Sequence, residues 1–269
     1  MAKELGHDRD KDILYKMLRE FDEYCKKNNL KYFLFWGTLI GAARHNGFIP
    51  WDDDVDIAMP RLDYNKLIEL SKNWKCSFDM LCYEKDNTYP LFFGKLSDKS
   101  SVIENEYIRD IKNLGLYIDV FPIDTIEISD KDVSKIQAKL MRNELLQKYA
   151  SMKKFWPAQT AGKSLLKFTL YVFAKSFGTD YWQKKRIKFI DNLKDNKTSK
   201  YNKYCICGSW VLKGEWLKNS VNLPFEESEF PCPEEYDDLL AYRYGNYMEW
   251  PPIDKRISQH DYKVLKSEE

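Results

Sequence analysis

The N-terminal part of the chain alternates between amphipathic stretches and short runs of apolar residues. Apolar side chains recur at helical spacing between Asp8 and Asn28, which predicts an amphipathic helix. The uninterrupted apolar run from Tyr32 to Trp36 predicts a short buried strand. The same criteria then predict a helix, a strand and a second helix, in this order, at Leu39–His45, Val55–Met59 and Leu62–Ser71.

The pattern continues with strands and then becomes mainly helical. Strands are predicted around Phe78–Cys82, Leu91–Leu96 and Leu116–Phe121. Helices are predicted at Asp130–Ala150, Gly162–Phe177 and Tyr181–Leu193. Near the end, Pro233 is predicted to open a helix and Gly245 to end it. This order predicts an α+β fold with a mixed sheet as its core, flanking helices and a helical, basic C-terminal half.

Composition supports one large folding unit. Hydrophobic residues make up 43% and aromatic residues 15% of the 269 residues, which is enough for a sizeable core. No internal repeat or low-complexity linker divides the sequence. We therefore predict a single domain over 1–269, with a core region at about 28–126, a basic helical region at about 130–200 and a C-terminal motif region at about 201–262.

Charge is distributed unevenly along the chain, although its sum is small. Lys and Arg number 43 and Asp and Glu 42, which gives a formal net charge of +1. Between Lys131 and Lys200, however, the basic residues greatly outnumber the acidic ones. Composition favours packed helices with solvated basic faces, and peripheral contact of 131–200 with an anionic membrane is the alternative. We predict no nucleic-acid partner.

Nothing in the sequence pattern indicates export or membrane insertion. The segment from Met1 to Asp12 is polar and lacks the apolar region of a signal peptide. The longest apolar stretch, Leu165–Phe177, contains two lysines and is too short to span a bilayer. We therefore predict a cytoplasmic protein, with contact at the inner face of the membrane as the alternative. The cysteines are then predicted to be reduced, and the C-x-C pair Cys205 and Cys207 lacks the second close pair that zinc needs.

The most informative stretch is Trp51–Ile57, where acidic residues lead into a strand pattern. If Val55 lies in a strand, Asp54 and Asp56 point to the same face, because side chains alternate with a period of two. Two carboxylates held this close repel each other, and a divalent cation removes that cost. We therefore predict metal ligands at Asp54 and Asp56, with Mg²⁺ as the ion and Mn²⁺ as the alternative.

Two other interpretations of the same acidic segment are weaker. A solvated acidic turn is the usual meaning of a charge run, but Val55 and Ile57 interleave apolar side chains here. A calcium-binding loop fits some of the acidic positions, but Ile57 stands where the loop requires glycine, and Pro60 also interrupts it. A catalytic metal site is the favoured interpretation.

A phosphate site and a third carboxylate complete the predicted arrangement. Gly37 and Thr38 follow an apolar strand and precede a helix, a position where backbone N–H groups bind phosphate. Asp119 lies in an apolar strand pattern, and a lone carboxylate there is costly unless it is paired or bound to metal. Asp124 is the competitor, but it follows Pro122 and is predicted to cap a turn. A strand, a small-residue turn, a helix and Asp-x-Asp on the next strand form a layout typical of nucleotidyl transfer.

These residues resemble a known family. The run from Trp36 to Ile57 resembles the signature of the LicD family, which includes bacterial phosphorylcholine transferases and is related to fukutin and fukutin-related protein. The likeness extends through most of the chain, in the segments Met59–Tyr64, Tyr117–Asp124, Tyr244–Met248 and Pro251–Pro252 and at Arg256 and His260. The segment Lys131–Lys200 matches the family pattern poorly.

The resemblance implies both a fold and an activity. The fold is nucleotidyltransferase-like, and the donor is a cytidine diphosphate-linked alcohol such as CDP-choline. The distal phospho-alcohol moves to a hydroxyl of a cell-surface glycan or teichoic acid precursor, often lipid-linked, and CMP is released. Related animal enzymes move ribitol phosphate, so CDP-glycerol and CDP-ribitol are alternative donors. The family's metal ligands correspond to Asp54, Asp56 and Asp119, which makes this a predicted phosphotransferase.

Further residues are candidates for binding the donor. Arg44 and Lys95 are predicted to clamp the diphosphate, and the alternative for each is an ion pair with a nearby acid. His260 is a candidate because of the family motif around it, whereas a lone histidine such as His45 is more often structural. The aromatic segment Tyr244–Trp250 either packs in the core or encloses a base or a quaternary ammonium group.

Two other functions remain open from the sequence. The same metal site is compatible with true nucleotidyl transfer, in which a nucleoside monophosphate moves to the acceptor and pyrophosphate is released. A non-catalytic scaffold is the other alternative, and the intact acidic cluster argues against it.

Overall fold

The structure is a computed structural model that describes residues 7–104, 110–195, 202–257 and 263–266. The first half contains most of the sheet and three helices. These elements are α1 (His7–Asn28), β1 (Phe33–Leu34), α2 (Trp36–His45), β2 (Val55–Pro60), α3 (Arg61–Leu70), β3 (Phe78–Leu81), β4 (Gly94–Asp98), β5 (Ser101–Glu104) and β6 (Tyr117–Ile128).

The second half begins with two long helices and continues with strands. The elements are α4 (Val133–Ser151), α5 (Ala161–Asp195), β7 (Asn202–Cys207), β8 (Trp210–Lys213), β9 (Ser220–Phe225), β10 (Ser228–Pro233), α6 (Tyr236–Tyr244) and β11 (Lys263–Lys266). Short 3₁₀ helices lie at Asp130–Asp132, Gly214–Leu217 and Ile253–Lys255. The predicted α+β class is confirmed, but the C-terminal half is not helical throughout.

A mixed seven-stranded sheet forms the centre, and β6 is its longest strand. β6 runs parallel to β2 on one edge. On its other edge it pairs antiparallel with β4 through its first half and with β7 through its second half. β1, β3 and β8 extend the sheet as antiparallel neighbours of β2, β4 and β7. Since β6 touches three strands, side chains from several parts of the chain meet around it.

The core explains why these segments become strands and helices. Val55 and Ile57 of β2 and Ile118 and Val120 of β6 are fully buried in one large apolar cluster. Leu14 of α1 belongs to the same cluster, so the amphipathic helix covers this face of the sheet. The hydrophobic periodicity seen in the sequence therefore marks the surfaces that bury apolar area.

Several predicted boundaries of strands and helices are wrong, and each error has a structural reason. The strand predicted at Leu116–Phe121 continues to Ile128, because Pro122 fits into β6 as a register partner of Met59 in β2. The strand predicted at Tyr32–Trp36 is only two residues long, since Trp36 already begins α2. Pro233 ends β10 and does not open α6, although Gly245 does follow the last residue of that helix.

The sequence pattern did not predict the four strands between residues 202 and 233. β7 and β8 enter the central sheet next to β6, and β9 and β10 form a separate antiparallel hairpin. Their alternating pattern is weak, since β9 is exposed at most positions and contains Pro224. Pairing with β6 decides the conformation of β7, and β8 pairs with β7, whereas β9 and β10 pair with each other.

The basic region consists of α4 and α5, and α5 is broken at Gly178. This glycine has φ 75° and ψ 169°, outside the helical region, so two helical pieces meet there. The two helices predicted at Gly162–Phe177 and Tyr181–Leu193 are therefore confirmed. Within the described residues, no helix has both the length and the apolar character needed to cross a bilayer. The six cysteines are free thiols.

Candidate metal and phosphate site

The pairing of three neighbouring strands places Asp56, Asp119 and Lys95 in one row. Asp56 on β2 is the register partner of Asp119 on β6, and Asp119 is the partner of Lys95 on β4. Residues opposite each other in a sheet point to the same face. The row therefore presents two carboxylates and one ammonium group on one side of the sheet. The sequence predicted the first two of these as neighbours, and for Lys95 it gave an ion pair with an unspecified acid as the alternative to a diphosphate clamp.

Asp54 joins this row from the residue before β2. One carboxylate oxygen each from Asp54, Asp56 and Asp119 lies within 4.8 Å of the others. A second group of the same kind consists of Asp52, Asp53 and Asp54. Carboxylate oxygens are the ligands that Mg²⁺ and Mn²⁺ prefer. The predicted convergence of three acids from two strands is therefore present, and its donor set fits a hard divalent cation.

The pKa shifts show that burial and mutual repulsion disfavour the charged form of these carboxylates. Burial raises the pKa of Asp56 well above its ordinary value, and the charges of Asp54 and Asp119 raise it further. The charge of Lys95 acts against this rise in the pKa of Asp56. Burial lowers the pKa of Lys95 itself, and the nearby charge of Asp119 raises it in part. A bound cation would remove the repulsion among the carboxylates.

Lys95 is held tightly at Asp119 rather than exposed for a ligand. Its Nζ lies 2.5 Å from Asp119 Oδ1, and both side chains are buried. The same Nζ lies 3.2 Å from the centre of the Tyr117 ring, within cation–π distance. The structure thus gives Lys95 a partner within the acidic cluster, and the diphosphate clamp stays a prediction.

Gly37 and Thr38, which form the Gly37-Thr38 turn predicted from the sequence, lie in the first turn of α2 and contact the acidic cluster directly. A Cβ atom on Gly37 would lie 2.8 Å from Asp52 Oδ2, so only glycine leaves room for that carboxylate. Thr38 Oγ1 accepts a hydrogen bond of 2.8 Å from the backbone N–H of Asp56. Both residues therefore fix the position of the carboxylates. Their predicted role as phosphate ligands stays a prediction.

Trp36, just before this turn, has an unusual backbone conformation. Its φ of 42° lies in the left-handed region, which is costly for a large side chain. The indole ring packs near Phe121 and Trp210 with centroid distances of 6.5 Å, and the Arg243 guanidinium lies 4.1 Å from its centre. These contacts hold Trp36 in place and set the direction in which α2 begins beside the acids.

Arg44 ties the end of α2 to the C-terminal segment. Its Nη1 donates to the carbonyl oxygens of Tyr247 and Glu249, the latter at 3.1 Å. These partners are carbonyl groups, and no acidic partner of Arg44 is found in the described part of the chain, so its role as a diphosphate clamp stays a prediction. Burial lowers the pKa of neighbouring His45, and the charge of Arg44 lowers it further. His260 lies outside the described residues.

Trp51, Trp250 and Arg256 form a small cationic and aromatic cluster next to the acidic segment. The two indole rings have their centroids 5.6 Å apart. The guanidinium of Arg256 lies 5.5 Å from the Trp51 ring centre and 5.0 Å from that of Trp250. The pair of indoles is therefore a surface that attracts a cation. The sequence indicated Trp250 as part of an aromatic segment but not its proximity to Trp51.

Sequence reasoning missed Tyr89, Arg243 and the role of Asp52. Tyr89 is buried, and burial followed by the charge of Asp119 raises its pKa. Its hydroxyl has no hydrogen-bond partner among the described residues. Arg243 stacks between Trp36 and Trp210 at 4.1 and 4.6 Å from their ring centres. None of these positions follows from a spacing rule, since each depends on contacts between distant segments.

Asp124 is not a turn cap, so that prediction is wrong. It lies inside β6 and is buried. Arg61 donates to its two carboxylate oxygens at 2.9 and 2.7 Å, and Lys194 Nζ lies 2.7 Å from Oδ1. Asp124 is therefore a structural anchor between the sheet and two helices. Its partners explain how a second carboxylate is tolerated in the apolar strand.

The fold and the acidic site define the class of this protein. Residues 29–155 match the family model described as LicD/FKTN/FKRP, nucleotidyltransferase domain. This region of the chain therefore belongs to the LicD/FKTN/FKRP nucleotidyltransferase domain family. The matched region includes β2, β4 and β6, and hence all three carboxylates and Lys95.

Similarity to a characterised relative extends beyond the matched domain. The chain is 27% identical over 264 residues to the lipopolysaccharide cholinephosphotransferase LicD of Haemophilus influenzae, covering 92% of this chain and 93% of the relative. It is also 48% identical over 50 residues to an uncharacterized protein of Rickettsia prowazekii, which is 19% of each chain. The resemblance to the LicD family inferred from the motifs is thereby confirmed.

Proposed function

We propose that this protein transfers phosphocholine from CDP-choline to a hydroxyl group of a cell-surface glycan and releases CMP. The observation that carries this proposal is the meeting of Asp54, Asp56 and Asp119 within 4.8 Å on the sheet face beside the Gly37-Thr38 turn. The relative from Haemophilus influenzae is named as a cholinephosphotransferase acting on lipopolysaccharide, which supports the donor and the acceptor class. Teichoic acid precursors and lipid-linked glycans are the other acceptors within this proposal.

The three carboxylates would hold the metal ion, Mg²⁺ or Mn²⁺. A bound divalent cation neutralises charge on the donor diphosphate while the bond to CMP breaks. Asp119 would accept the proton of the acceptor hydroxyl group while the oxygen of that hydroxyl group forms a bond to the distal phosphorus. Lys95 would position Asp119 through the 2.5 Å ion pair.

Donor recognition has candidate residues on the rim of the same site. The paired indoles of Trp51 and Trp250 already hold the cationic group of Arg256 and are suited to a quaternary ammonium group. Gly37, Thr38, Arg44 and His260 are the candidates for the phosphate groups, and Lys95 remains a candidate in addition to its ion pair with Asp119. A donor with glycerol or ribitol carries no cation and would gain nothing from the indole pair.

The experiment is a comparison of donors with a matched set of variants. Purified protein with Mg²⁺ and a glycan acceptor is given CDP-choline, CDP-glycerol or CDP-ribitol, and CMP is measured. We expect CMP release with CDP-choline, and release at background level for Asp54→Asn and Asp56→Asn. Asp12→Asn changes an exposed acid on α1 and serves as the control. Near-normal turnover of either site variant would contradict the assignment.

The product also separates this proposal from nucleotidyl transfer, which the description of the family model favours as the second candidate. In that reaction, a nucleoside triphosphate donor loses pyrophosphate and the nucleoside monophosphate stays on the acceptor. Pyrophosphate release from CTP, without CMP release from CDP-choline, would therefore replace the phosphocholine proposal. The same variants at Asp54 and Asp56 would abolish either reaction.

A further inference from the structure

The first piece of α5, residues 161–177, is a helix that packs against very little. Ala174 is its one buried residue, with no exposed surface. Leu165 is 67% exposed, Leu166 64% and Phe173 50%. The side chains of Phe168, Val172 and Phe177 continue this exposure along the helix. A contiguous apolar surface of this kind marks a site of interaction with another apolar surface.

The charged residues of the segment that carries this surface all have the same sign. From Lys153 to Thr179 the chain contains five lysines and no acidic residue. Lys163 and Lys175 on the helix are exposed beside the apolar side chains. Trp156 is 56% exposed just before the helix, and tryptophan favours the boundary between water and a lipid bilayer. Apolar residues combined with lysines are typical of helices that lie in the surface of anionic membranes.

An apolar groove of about 410 Å³ adjoins this surface between α4 and α5. Leu146, Leu170, Phe173 and Trp182 line it. Four cationic residues also line it, namely Lys139, Arg142, Lys185 and Arg186. The volume lies in the range of about 300–1,000 Å³ that is usual for ligand sites. An apolar interior with cations beside it fits an amphiphile with an anionic head group.

Arg186 provides an independent sign of an anionic ligand. It is only 6% exposed, and its Nη2 donates to the carbonyl oxygen of Gly208. Its Nη1 is buried without a hydrogen-bond partner among the described residues. A buried guanidinium nitrogen without an acceptor is costly, and a lipid phosphate beside the groove would supply one.

We propose that the α4–α5 face, meaning the exposed apolar side of residues 161–177 together with the adjoining groove, binds a bilayer that contains anionic phospholipids. An acyl chain enters the groove, and lipid phosphate groups contact the surrounding cations. A second copy of the chain is a poorer occupant, because a symmetric dimer would place this lysine-rich surface against itself. The residues of this face are different from those of the acidic site, and the inference does not depend on the transferred group.

The first test is vesicle flotation of the full chain without nucleotide or metal. We expect flotation with vesicles of phosphatidylglycerol and phosphatidylcholine, and at least about tenfold weaker binding to pure phosphatidylcholine because several lysines contribute about fivefold each. The double variant Leu165→Ser with Phe168→Ser should lose at least about tenfold in binding to the anionic vesicles. Leu62→Ser removes a leucine on α3 that is even more exposed, at 83%, and this variant should bind like the wild type.

Other outcomes would overturn the proposal. These are no flotation with anionic vesicles, equal flotation with neutral vesicles, or the same loss in Leu62→Ser. Light scattering tests the alternative that a second copy of the chain covers this face. If the wild type is a dimer that does not float with vesicles, and the double variant is a monomer, the face serves self-association. Circular dichroism checks that the variants are folded.

The groove has its own measurement. Protein recovered from anionic vesicles is examined by native mass spectrometry for a retained phospholipid. We expect one retained lipid in the wild type and its loss in Lys185→Glu, which reverses a cation lining the groove. Lys27→Glu changes an exposed lysine on α1 and is the control. The absence of retained lipid in the wild type, or its loss in both variants, would overturn the groove assignment.

Discussion

Asp56 is a residue whose position does not favour the stability of the fold. Its carboxylate lies close to those of Asp54 and Asp119, and burial raises its pKa before either charge is considered. A protein selected only for stability would place an apolar residue here. The unfavourable cluster is therefore the strongest single indication of a metal-dependent role, and the Lys95 ion pair offsets only part of it.

Gly37 gives a prediction at this scale. Replacing Gly37 with alanine places a methyl group 2.8 Å from Asp52 Oδ2, so the carboxylate must shift. We expect turnover to fall on the order of tenfold to a hundredfold, since small displacements at a reacting centre have effects of this size. The measurement is CMP release at saturating Mg²⁺.

Gly162→Ala is the matched control for this change. A Cβ atom at Gly162 meets nothing within 4 Å. This variant should keep normal turnover and normal stability. If Gly37→Ala is equally active, the close approach between the turn and Asp52 has no functional role.

At the scale of elements, Asp124 connects the central sheet to two helices. Burial alone would raise its pKa, but hydrogen bonds and charges from Arg61 and Lys194 outweigh burial and lower the pKa below the ordinary 3.8. Because the folded state holds the proton less tightly than the unfolded chain, this contribution to stability is present above pH 3.8. It is lost as the pH falls through the folded-state pKa.

Asp124→Asn should therefore be destabilising at neutral pH and much less so in acid. We expect the free energy of unfolding to fall by about 3 kcal/mol at pH 7, because Arg61 loses its buried partner. Urea unfolding as a function of pH measures this difference, which should shrink as Asp124 becomes protonated in the wild type. Asp191→Asn removes the exposed second partner of Lys194, 3.7 Å away, and should cost at most about 1 kcal/mol. A pH-independent difference would contradict the ion-pair explanation.

The break in α5 gives a second prediction for an element. Gly178 has φ 75° and ψ 169°, a conformation that is almost confined to glycine. A Cβ atom there would meet nothing within 4 Å, so any cost of Gly178→Ala comes from the backbone alone. We expect a loss of about 1–3 kcal/mol in the free energy of unfolding.

Chemical denaturation of Gly178→Ala measures this cost, with Gly162→Ala in the same helix as the comparison. The comparison variant should be neutral or slightly stabilised, because alanine is the better helix former. Equal effects of the two changes would show that the turn between the two pieces of α5 does not require glycine.

At the scale of the whole molecule, the acidic site depends on strands that are distant in sequence. β2, β4 and β6 supply the row of Asp56, Lys95 and Asp119, while α2 supplies the glycine that lies against Asp52. The unfolded chain cannot hold these groups together. A cation that binds the cluster therefore binds the folded state and adds to its stability.

Mg²⁺ should accordingly raise the melting temperature of the wild type. At a concentration of about one hundred times the dissociation constant, the expected stabilisation is about 2.7 kcal/mol. Differential scanning calorimetry with and without Mg²⁺ measures it. Asp54→Asn and Asp56→Asn should remove most of the shift, whereas Asp12→Asn should retain it. An identical shift in all four proteins would show that the ion acts elsewhere, whatever the activity assay finds.

The sequence by itself determined the features that follow from local geometry. The period of two that side chains follow in a strand predicted that Asp54 and Asp56 lie close together, and they do, although Asp54 comes just before β2. The break between the two pieces of α5 and the end of α6 at Gly245 also follow from local backbone preferences. The choice of Asp119 as the third carboxylate came from the cost of an unpaired acid in an apolar strand.

Only the tertiary structure decided which distant residues became partners. Asp119 forms an ion pair with Lys95, whereas Asp124 forms ion pairs with Arg61 and Lys194. The register of the strands and the packing of the helices determine which cation lies next to each carboxylate. The weakly patterned strands β7 and β8 formed because β6 was available to pair with them. The exposed apolar side of residues 161–177 was likewise invisible in composition, since burial depends on what the rest of the fold places against a helix.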